Sequence, residues 1–191
     1  PSFRRQLQMG IRDRILDDFM EVHKRLRNVL GALHDEDYDK HCFQRRGVRP
    51  IKDYLGVQLQ ELALHGWDIR WGLDGAAELW TGSLAALVDL VPRWIGIAFG
   101  PGLDLPTPVR YRFDVSSPVA VCEDLVVDGD SYKTKTSDTE DADGTFHCNT
   151  GNYILLMFGR LKVERAVADG RLSVEGSMER AKDFNAWFKG F

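Results

Sequence analysis

The sequence has 191 residues, enough for one large domain or two small ones, and 43% of them are apolar while 28% are charged. This composition is that of an ordinary globular protein and excludes the fibrous and disordered classes. The net charge of -4 disfavours nucleic-acid binding, because a basic surface is needed to offset phosphate repulsion. No apolar run reaches the roughly 18 residues needed to cross a bilayer, so we expect no membrane span.

The cysteines and the N-terminus bear on the cellular compartment. Cys42, Cys122 and Cys148 are odd in number and have no C-x-x-C spacing, which disfavours a disulfide framework and a thiolate zinc site. We therefore expect reduced thiols and a cytoplasmic protein. The first residues, PSFRRQLQMG, lack the apolar core of a signal peptide, and the absence of an initiator Met leaves open that upstream residues were removed.

The first part of the chain shows the apolar spacing of one long amphipathic helix. Its apolar positions recur every three or four residues: Ile11, Ile15, Phe19, Val22, Leu26, Leu30 and Leu33. The helix is predicted to end between residues 31 and 34. An acidic DEDYDK segment and RRGVRP then predict a loop, and Pro50 suits the first turn of a second helix.

The second predicted helix covers residues 50–70 and carries two stripes of helical period. The mainly apolar stripe consists of Leu55, Leu59, Leu62, Gly66 and Ile69. The polar stripe consists of Tyr54, Gln58, Glu61, His65 and Asp68. Because apolar residues flank the polar stripe, we expect this helix to be buried. A third helical stretch is predicted over residues 75–99, with an interruption at Gly82 and a kink or a break at Pro92.

The character of the sequence changes at residues 100–108, where three prolines and two glycines predict a linker. Further on, alternating apolar residues predict strands, an acidic segment predicts a loop or short strand, and two apolar stretches predict helices. These segments are residues 109–115, 119–127 and 172–174 for strands, 133–145 for the loop, and 153–161 and 178–188 for helices. The fold class predicted is α+β, with a helical domain over residues 1–100 and a small α+β domain over 108–191.

The polar stripe contains a pair of side chains that could bind a metal ion. Glu61 and His65 lie four residues apart, so on a helix both can reach one ion. A carboxylate and a neutral imidazole suit zinc, nickel, iron or manganese, and a catalytic site would need a third protein ligand and an open position. Alternatively, the pair is a surface salt bridge or contains a capped core histidine. Asp68 could orient a histidine or pair with Arg70.

The remaining histidines are weaker candidates. His23 is expected to be a packing or surface residue, and His34 and His41 flank solvated acidic residues. On a strand, His147 and Cys148 would point to opposite faces and could not bind one ion together. The sequence contains no Ser-His-Asp motif and no Gly-rich phosphate loop, which disfavours nucleotide chemistry.

At ELALHGWDIRWGL the sequence resembles the DinB-like metal-binding superfamily, in the branch that includes mycothiol-dependent maleylpyruvate isomerase. The segment LLMFGRLKVERAVADGRLSVEG is similar to the family's C-terminal domain, which is related to sterol-carrier folds. The resemblance implies a DinB-like bundle, four-helical in the family and with its truncation left open here, followed by a sterol-carrier-like domain. It covers most of the chain, and its E-x-x-x-H-x-W-D segment is the specific part.

The resemblance also implies roles for particular residues. Glu61 and His65 match two metal ligands of the family, and zinc is the metal we expect. The family's third ligand is a histidine of an earlier helix, so here it lies upstream of Pro1 or has been lost; His23 is a weak substitute. The family's arginine that holds an anionic substrate matches Arg160 best, with Arg171 second, and either could instead be an ordinary surface residue.

By this resemblance we expect a metal-dependent isomerase or S-transferase that uses a thiol such as mycothiol and acts on a small electrophilic carboxylate. The metal would stabilise the thiolate, which is the useful nucleophile. The alternative is a non-catalytic small-molecule or lipid-binding protein with a degenerate metal site. The sequence leaves the substrate, the thiol and the formation of a homo-oligomer open.

Overall fold

A computed structural model describes residues 3–44 and 47–190, with side chains from residue 13 onward. The side chain of Ile11 and the arginines of RRGVRP at positions 45 and 46 therefore lie outside the described residues. The chain forms two compact units, Pro1–Leu55 and Gly56–Phe191. Within the described ranges no helix is both long and apolar enough to cross a bilayer.

The first unit contains the predicted long helix, α1 (Phe3–Gly31), which ends where the sequence indicated. The loop predicted to follow it is instead partly structured. It holds a 3-10 turn at Asp35–Asp37 and an antiparallel hairpin of β1 (His41–Gln44) and β2 (Gly47–Pro50). Strands of four residues are too short to show a period in the sequence, which explains why the hairpin was not predicted.

Five helices follow the hairpin: α2 (Ile51–Leu73), α3 (Leu84–Ala98), α4 (Thr150–Met157), α5 (Val163–Ala168) and α6 (Met178–Trp187). The prediction of a helix from residue 75 was wrong for its first part, because the Asp74 carboxylate accepts from the Ala76 N–H and forms a turn. The helix also continues through Pro92, where a kink or a break was predicted. The six-residue α5 was not predicted.

The strands of the second unit form one five-stranded sheet: β3 (Val109–Val115), β4 (Val121–Asp128), β5 (Ser131–Thr136), β6 (Gly144–Cys148) and β7 (Leu172–Gly176). The strand order is β5-β4-β3-β6-β7, with β3 and β6 parallel and the other neighbours antiparallel. The predicted α+β class is therefore confirmed, whereas a DinB-like bundle and a domain division at residues 100–108 stay predictions.

Aromatic side chains fill the core between this sheet and its helices. Alternate residues of β3 point inward, so Tyr111 and Phe113 are fully buried, as are Phe146 of β6 and Phe184 of α6. The Phe184 ring packs edge-on against the other three rings at centroid distances of 5.4–5.8 Å. Since burial of one phenylalanine contributes about 1.5–3 kcal/mol, this cluster is a principal source of the unit's stability.

The opposite face of the sheet carries a buried ion pair. The Asp124 carboxylate is fully buried and accepts hydrogen bonds from Arg110 at 2.7 Å, Arg112 at 2.9 Å and Ser137 at 2.7 Å. Burial alone would raise the pKa of Asp124, but these donors outweigh it and hold the pKa well below the ordinary carboxyl value. The negative charge is therefore stabilised by folding.

We expect Asp124→Asn to lower the free energy of unfolding at pH 7 by about 1–3 kcal/mol, because buried guanidinium groups lose a charged acceptor. The lowered folded-state pKa adds stability that is present above the ordinary carboxyl pKa and is lost as the pH falls below it. Urea denaturation at several pH values would therefore show that the free energy of unfolding falls less at low pH for the variant than for the wild type. Asp130→Asn, at an exposed turn position, is the control and should match the wild type. An equal loss of unfolding free energy at low pH in the wild type and Asp124→Asn would contradict the prediction.

Candidate functional site

The rotational setting of α2 is fixed by the face that it buries. Leu64 and Trp67 are almost fully buried, and the Trp67 indole N–H donates to the carbonyl of Ala77 at 3.0 Å. The same ring stacks on Trp71 with a centroid distance of 4.9 Å. Because each successive residue turns by about 100° around a helix, the neighbouring positions form a separate face beside this one.

That neighbouring face brings together the polar residues singled out from the sequence. His65 Nε2 lies 3.0 Å from Glu61 Oε2, and His65 Nδ1 lies 3.2 Å from Asp68 Oδ2. The Glu61 and His65 side chains are 49% and 56% exposed, so the expectation of a buried helix face was wrong here. The apolar stripe is not the buried face either, since Leu62 and Ile69 are 72% and 69% exposed.

Arg160 reaches this face from the turn that follows α4. Its Nη2 lies 3.3 Å from Asp68 Oδ2, and its Nε lies 3.4 Å from Asp68 Oδ1. Another guanidinium nitrogen donates to the carbonyl of Phe158 at 3.1 Å, and only 9% of the side chain is exposed. The structure therefore places Glu61, His65, Asp68 and Arg160 in one continuous chain of polar contacts.

Of the two alternatives for Asp68, the structure shows contact with a histidine and not with Arg70. The Arg70 Nε donates instead to the carbonyl of Gly66 at 3.0 Å. Asp68 thus contacts both the imidazole and the Arg160 guanidinium. This arrangement resembles the carboxylate contacts that orient metal-binding histidines.

The geometry of the pair can be compared with that of a zinc site. Two ligand atoms of tetrahedral zinc lie about 3.4 Å apart, close to the 3.0 Å between Glu61 Oε2 and His65 Nε2. The donor types fit zinc, and the second imidazole nitrogen has a carboxylate partner in Asp68. Within the described part of the chain, however, no three His, Cys, Asp or Glu side chains form a metal-binding group.

Arg171, the second candidate for substrate binding, belongs to a different set of contacts. Its guanidinium lies 4.6 Å above the Trp71 ring and donates to the Asn152 side chain and the Ala77 carbonyl, both at 3.3 Å. These contacts join the end of α2, the following turn and α4. Arg171 therefore serves structure here, which favours Arg160 as the arginine of the site.

We expect Arg171→Met to lower the free energy of unfolding by about 1–2 kcal/mol, because it removes a cation–π contact and two hydrogen bonds. Arg70→Met, on the exposed side of α2, is the matched control and should change stability by less than about 0.5 kcal/mol. Urea denaturation monitored by tryptophan fluorescence would measure both. Equal losses for the two variants would contradict a structural role for Arg171.

Two of the other histidines have contacts of their own. His147 contacts Asp114 at 2.9 Å on the outer face of the sheet. Its neighbour Cys148 is buried on the opposite face, as predicted, and burial raises the pKa of that thiol to about 12. His23 stacks on Phe19 in α1 with a centroid distance of 5.9 Å, which is consistent with a packing or surface residue.

A cleft beside the N-terminus of α4 was not anticipated from the sequence. It has a volume of about 220 Å³, and both apolar and polar side chains line it, among them Leu79, Leu84, Leu155, Thr81 and Asn149. The Asn149 side chain caps α4 by accepting from the Asn152 N–H at 2.8 Å. The residues that line the cleft come from segments that are distant in the sequence, so no local pattern could have revealed the cleft.

Comparison with known families identifies the C-terminal part of the chain. Residues 109–189 match the model of the SCP-2 sterol transfer family. These residues include all five strands of the large sheet and helices α4 to α6. The chain therefore has an SCP2-type α+β domain after its N-terminal helical region, and the predicted sterol-carrier-like domain is confirmed. No protein with a curated description matches the chain.

Solved structures show low overall similarity. A double mutant of the sec-alkyl sulfatase PisA1 is 13% identical with a TM-score of 0.44, covering 54% of this chain and 16% of that one. The apo sterol carrier protein 2 from Yarrowia lipolytica is 13% identical with a TM-score of 0.33, covering 55% and 77%. Sterol carrier protein 2 like 2 from Aedes aegypti is 16% identical with a TM-score of 0.36, covering 51% and 93%.

Proposed function

We propose that this protein binds a small molecule through its SCP2-type domain. The observation that supports the proposal is the match of residues 109–189 to a family described by sterol transfer. Small molecules bind in concave sites that combine apolar side chains with a few polar groups. The cleft beside α4 has this character, since Leu79, Leu84 and Leu155 lie there with Thr81 and Asn149.

The size of the ligand follows from the packing of the domain. Sites for drug-sized ligands have volumes of about 300–1,000 Å³, whereas this cleft has about 220 Å³. Tyr111, Phe113, Phe146 and Phe184 occupy the space between the sheet and the helices and are fully buried. A sterol in the interior would have to displace these rings, so the packing favours a smaller ligand.

A chain-length series tests this proposal. We expect hexanoate to bind with a Kd in the millimolar range, and palmitate and cholesterol to bind no more tightly, because the cleft cannot enclose them. Thr81→Phe should lower the hexanoate affinity at least about tenfold by filling the cleft, and Thr136→Phe, at an exposed position of β5, should leave it unchanged. Isothermal titration calorimetry measures each affinity.

Tighter binding of palmitate or cholesterol than of hexanoate would show that the interior opens and would overturn the size assignment. Absence of binding by all three ligands would overturn the proposed function of the cleft. An equal effect of both phenylalanine variants would show that hexanoate binds elsewhere on the protein.

A second candidate function is a metal-dependent isomerase or S-transferase that uses a thiol of the mycothiol type and acts on a small electrophilic carboxylate. One observation favours it: His65 has carboxylates on both ring nitrogens, Glu61 beside Nε2 and Asp68 beside Nδ1. In this proposal Glu61 and His65 hold zinc, with a third ligand still to be identified. A divalent ion would supply positive charge that stabilises a thiolate at neutral pH.

The residues of the chain would then have distinct parts in the reaction. Glu61 and His65 are solvent-accessible, so a thiol can approach them. The thiolate would add to an activated double bond or displace a group at an electrophilic carbon. Arg160 would pair with the substrate carboxylate, in competition with the carboxylate of Asp68 that it contacts here.

We expect Glu61→Gln and His65→Ala each to lower zinc content from about one equivalent to less than a tenth, because each removes one of two ligands. Elemental analysis after dialysis measures the metal, and thermal unfolding shows whether the fold is retained. The control is Glu179→Gln, a carboxylate at an exposed position in α6, which should keep its zinc. Full zinc content in either ligand variant would refute the assignment, and a wild type with less than a tenth of an equivalent would refute the enzyme candidate.

A further inference from the structure

We infer that Asp68 is a positioning residue for His65, and that Arg160 acts on His65 through Asp68. The observation is the uninterrupted series of contacts between the three side chains. Asp68 Oδ2 lies 3.2 Å from His65 Nδ1 and 3.3 Å from Arg160 Nη2. One carboxylate oxygen is thus shared between an imidazole and a guanidinium, and the second lies 3.4 Å from Arg160 Nε.

The difference in exposure between the three side chains indicates which of them restrains the others. Arg160 is 9% exposed and is also fixed by its hydrogen bond to the Phe158 carbonyl at 3.1 Å. Asp68 is 36% exposed and His65 is 56% exposed, so solvent exposure increases from the arginine to the imidazole. The buried guanidinium, which contacts both oxygens of Asp68, therefore restrains the carboxylate, and the carboxylate restrains the ring. A two-point contact between guanidinium and carboxylate suits this purpose, since it fixes orientation as well as position.

The consequence concerns which imidazole nitrogen carries the proton. A neutral imidazole has one N–H donor and one acceptor, and each nitrogen of His65 faces a carboxylate. Asp68 accepts from Nδ1 and so favours the tautomer with the proton on Nδ1. In that tautomer the lone pair of Nε2 points towards Glu61. Glu61 favours the opposite tautomer when no cation is present. The two carboxylates therefore compete for one proton, and removal of either should decide the outcome.

This inference differs from the role that the resemblance implied for Arg160. There the arginine holds an anionic substrate, whereas here it already contacts the Asp68 carboxylate. A group that acts through another side chain should lose its effect when that side chain is changed. The variants Arg160→Gln and Asp68→Asn should therefore affect His65 in the same direction and without additivity.

The tautomer can be measured in the metal-free protein by ¹⁵N–¹H NMR of the imidazole. We expect Glu61→Gln to place the proton mainly on Nδ1 and Asp68→Asn to place it mainly on Nε2. The tautomer ratio should differ at least about tenfold between them, because a charged acceptor is replaced in each case. Adding Arg160→Gln to the Glu61→Gln variant should reduce the Nδ1-protonated form.

Arg70→Gln provides a matched control, because Arg70 lies on the same helix and donates to a backbone carbonyl rather than to Asp68. The same tautomer in Glu61→Gln and Asp68→Asn would overturn the role of Asp68. An unchanged ratio on addition of Arg160→Gln would overturn the indirect role of Arg160. Thermal unfolding identifies any variant that has lost its fold, and Arg160→Lys then replaces Arg160→Gln, since it keeps the charge but loses the two-point contact.

A second measurement extends the inference to zinc and rests on the second candidate function. We expect Asp68→Asn to weaken zinc binding about 10–100-fold in a chelator competition, the usual effect of losing a partner of a metal-binding histidine. Arg160→Gln should weaken it less, with no further loss in the double variant. A wild type that binds no zinc would overturn the enzyme candidate alone, because the metal-free NMR result decides the role of Asp68 separately. Equal zinc affinities of wild type and Asp68→Asn would overturn positioning at the metal.

Discussion

The burial of Trp67 is the constraint on which the candidate site depends. Its ring stacks on Trp71 and its indole N–H is bound to the Ala77 carbonyl, so α2 cannot rotate without losing both contacts. The residues that follow the buried positions by one step are then held on the adjacent face, where Glu61, His65 and Asp68 lie. A side chain without catalytic chemistry of its own therefore determines which polar groups can meet.

The sequence predicted the members of this site better than its environment. Glu61, His65 and Asp68 share a helical period that is visible directly, and the structure brings them together. The same period allowed two choices of buried face, and the apolar stripe through Leu62 and Ile69 was the wrong one. Helical spacing gives relative positions around an axis, whereas burial depends on the elements that pack against it. The hydrogen bond from Trp67 to the Ala77 carbonyl is such a tertiary contact, and no sequence pattern indicates it.

In the C-terminal domain, too, features set by the local sequence were predicted and features set by tertiary contacts were not. The alternating residues of β3 and β4 predicted strands because one face of the sheet is apolar and fully covered. β6 lies between β3 and β7 in the sheet but was not predicted, since its five residues, GTFHC, show too few alternations. The ion pair of Asp124 with Arg110 and Arg112 could not be predicted either, because charged residues on strands ordinarily face water. Its burial results from Ser137 and the acidic segment after β5 that folds over the sheet.

A glycine links the domain fold to the site. Gly159 lies two residues after α4 with a φ of 68°, and a Cβ there would overlap the backbone of Gly190. Only glycine satisfies both conditions, so the chain turns sharply at this point and the N–H of Arg160 bonds back to the Leu155 carbonyl at 2.8 Å. The turn directs the Arg160 side chain towards Asp68 on α2. The close packing of Gly190 against the turn at Gly159 therefore helps to set the position of the guanidinium, and through Asp68 the orientation of the histidine that lies 95 residues earlier in the sequence.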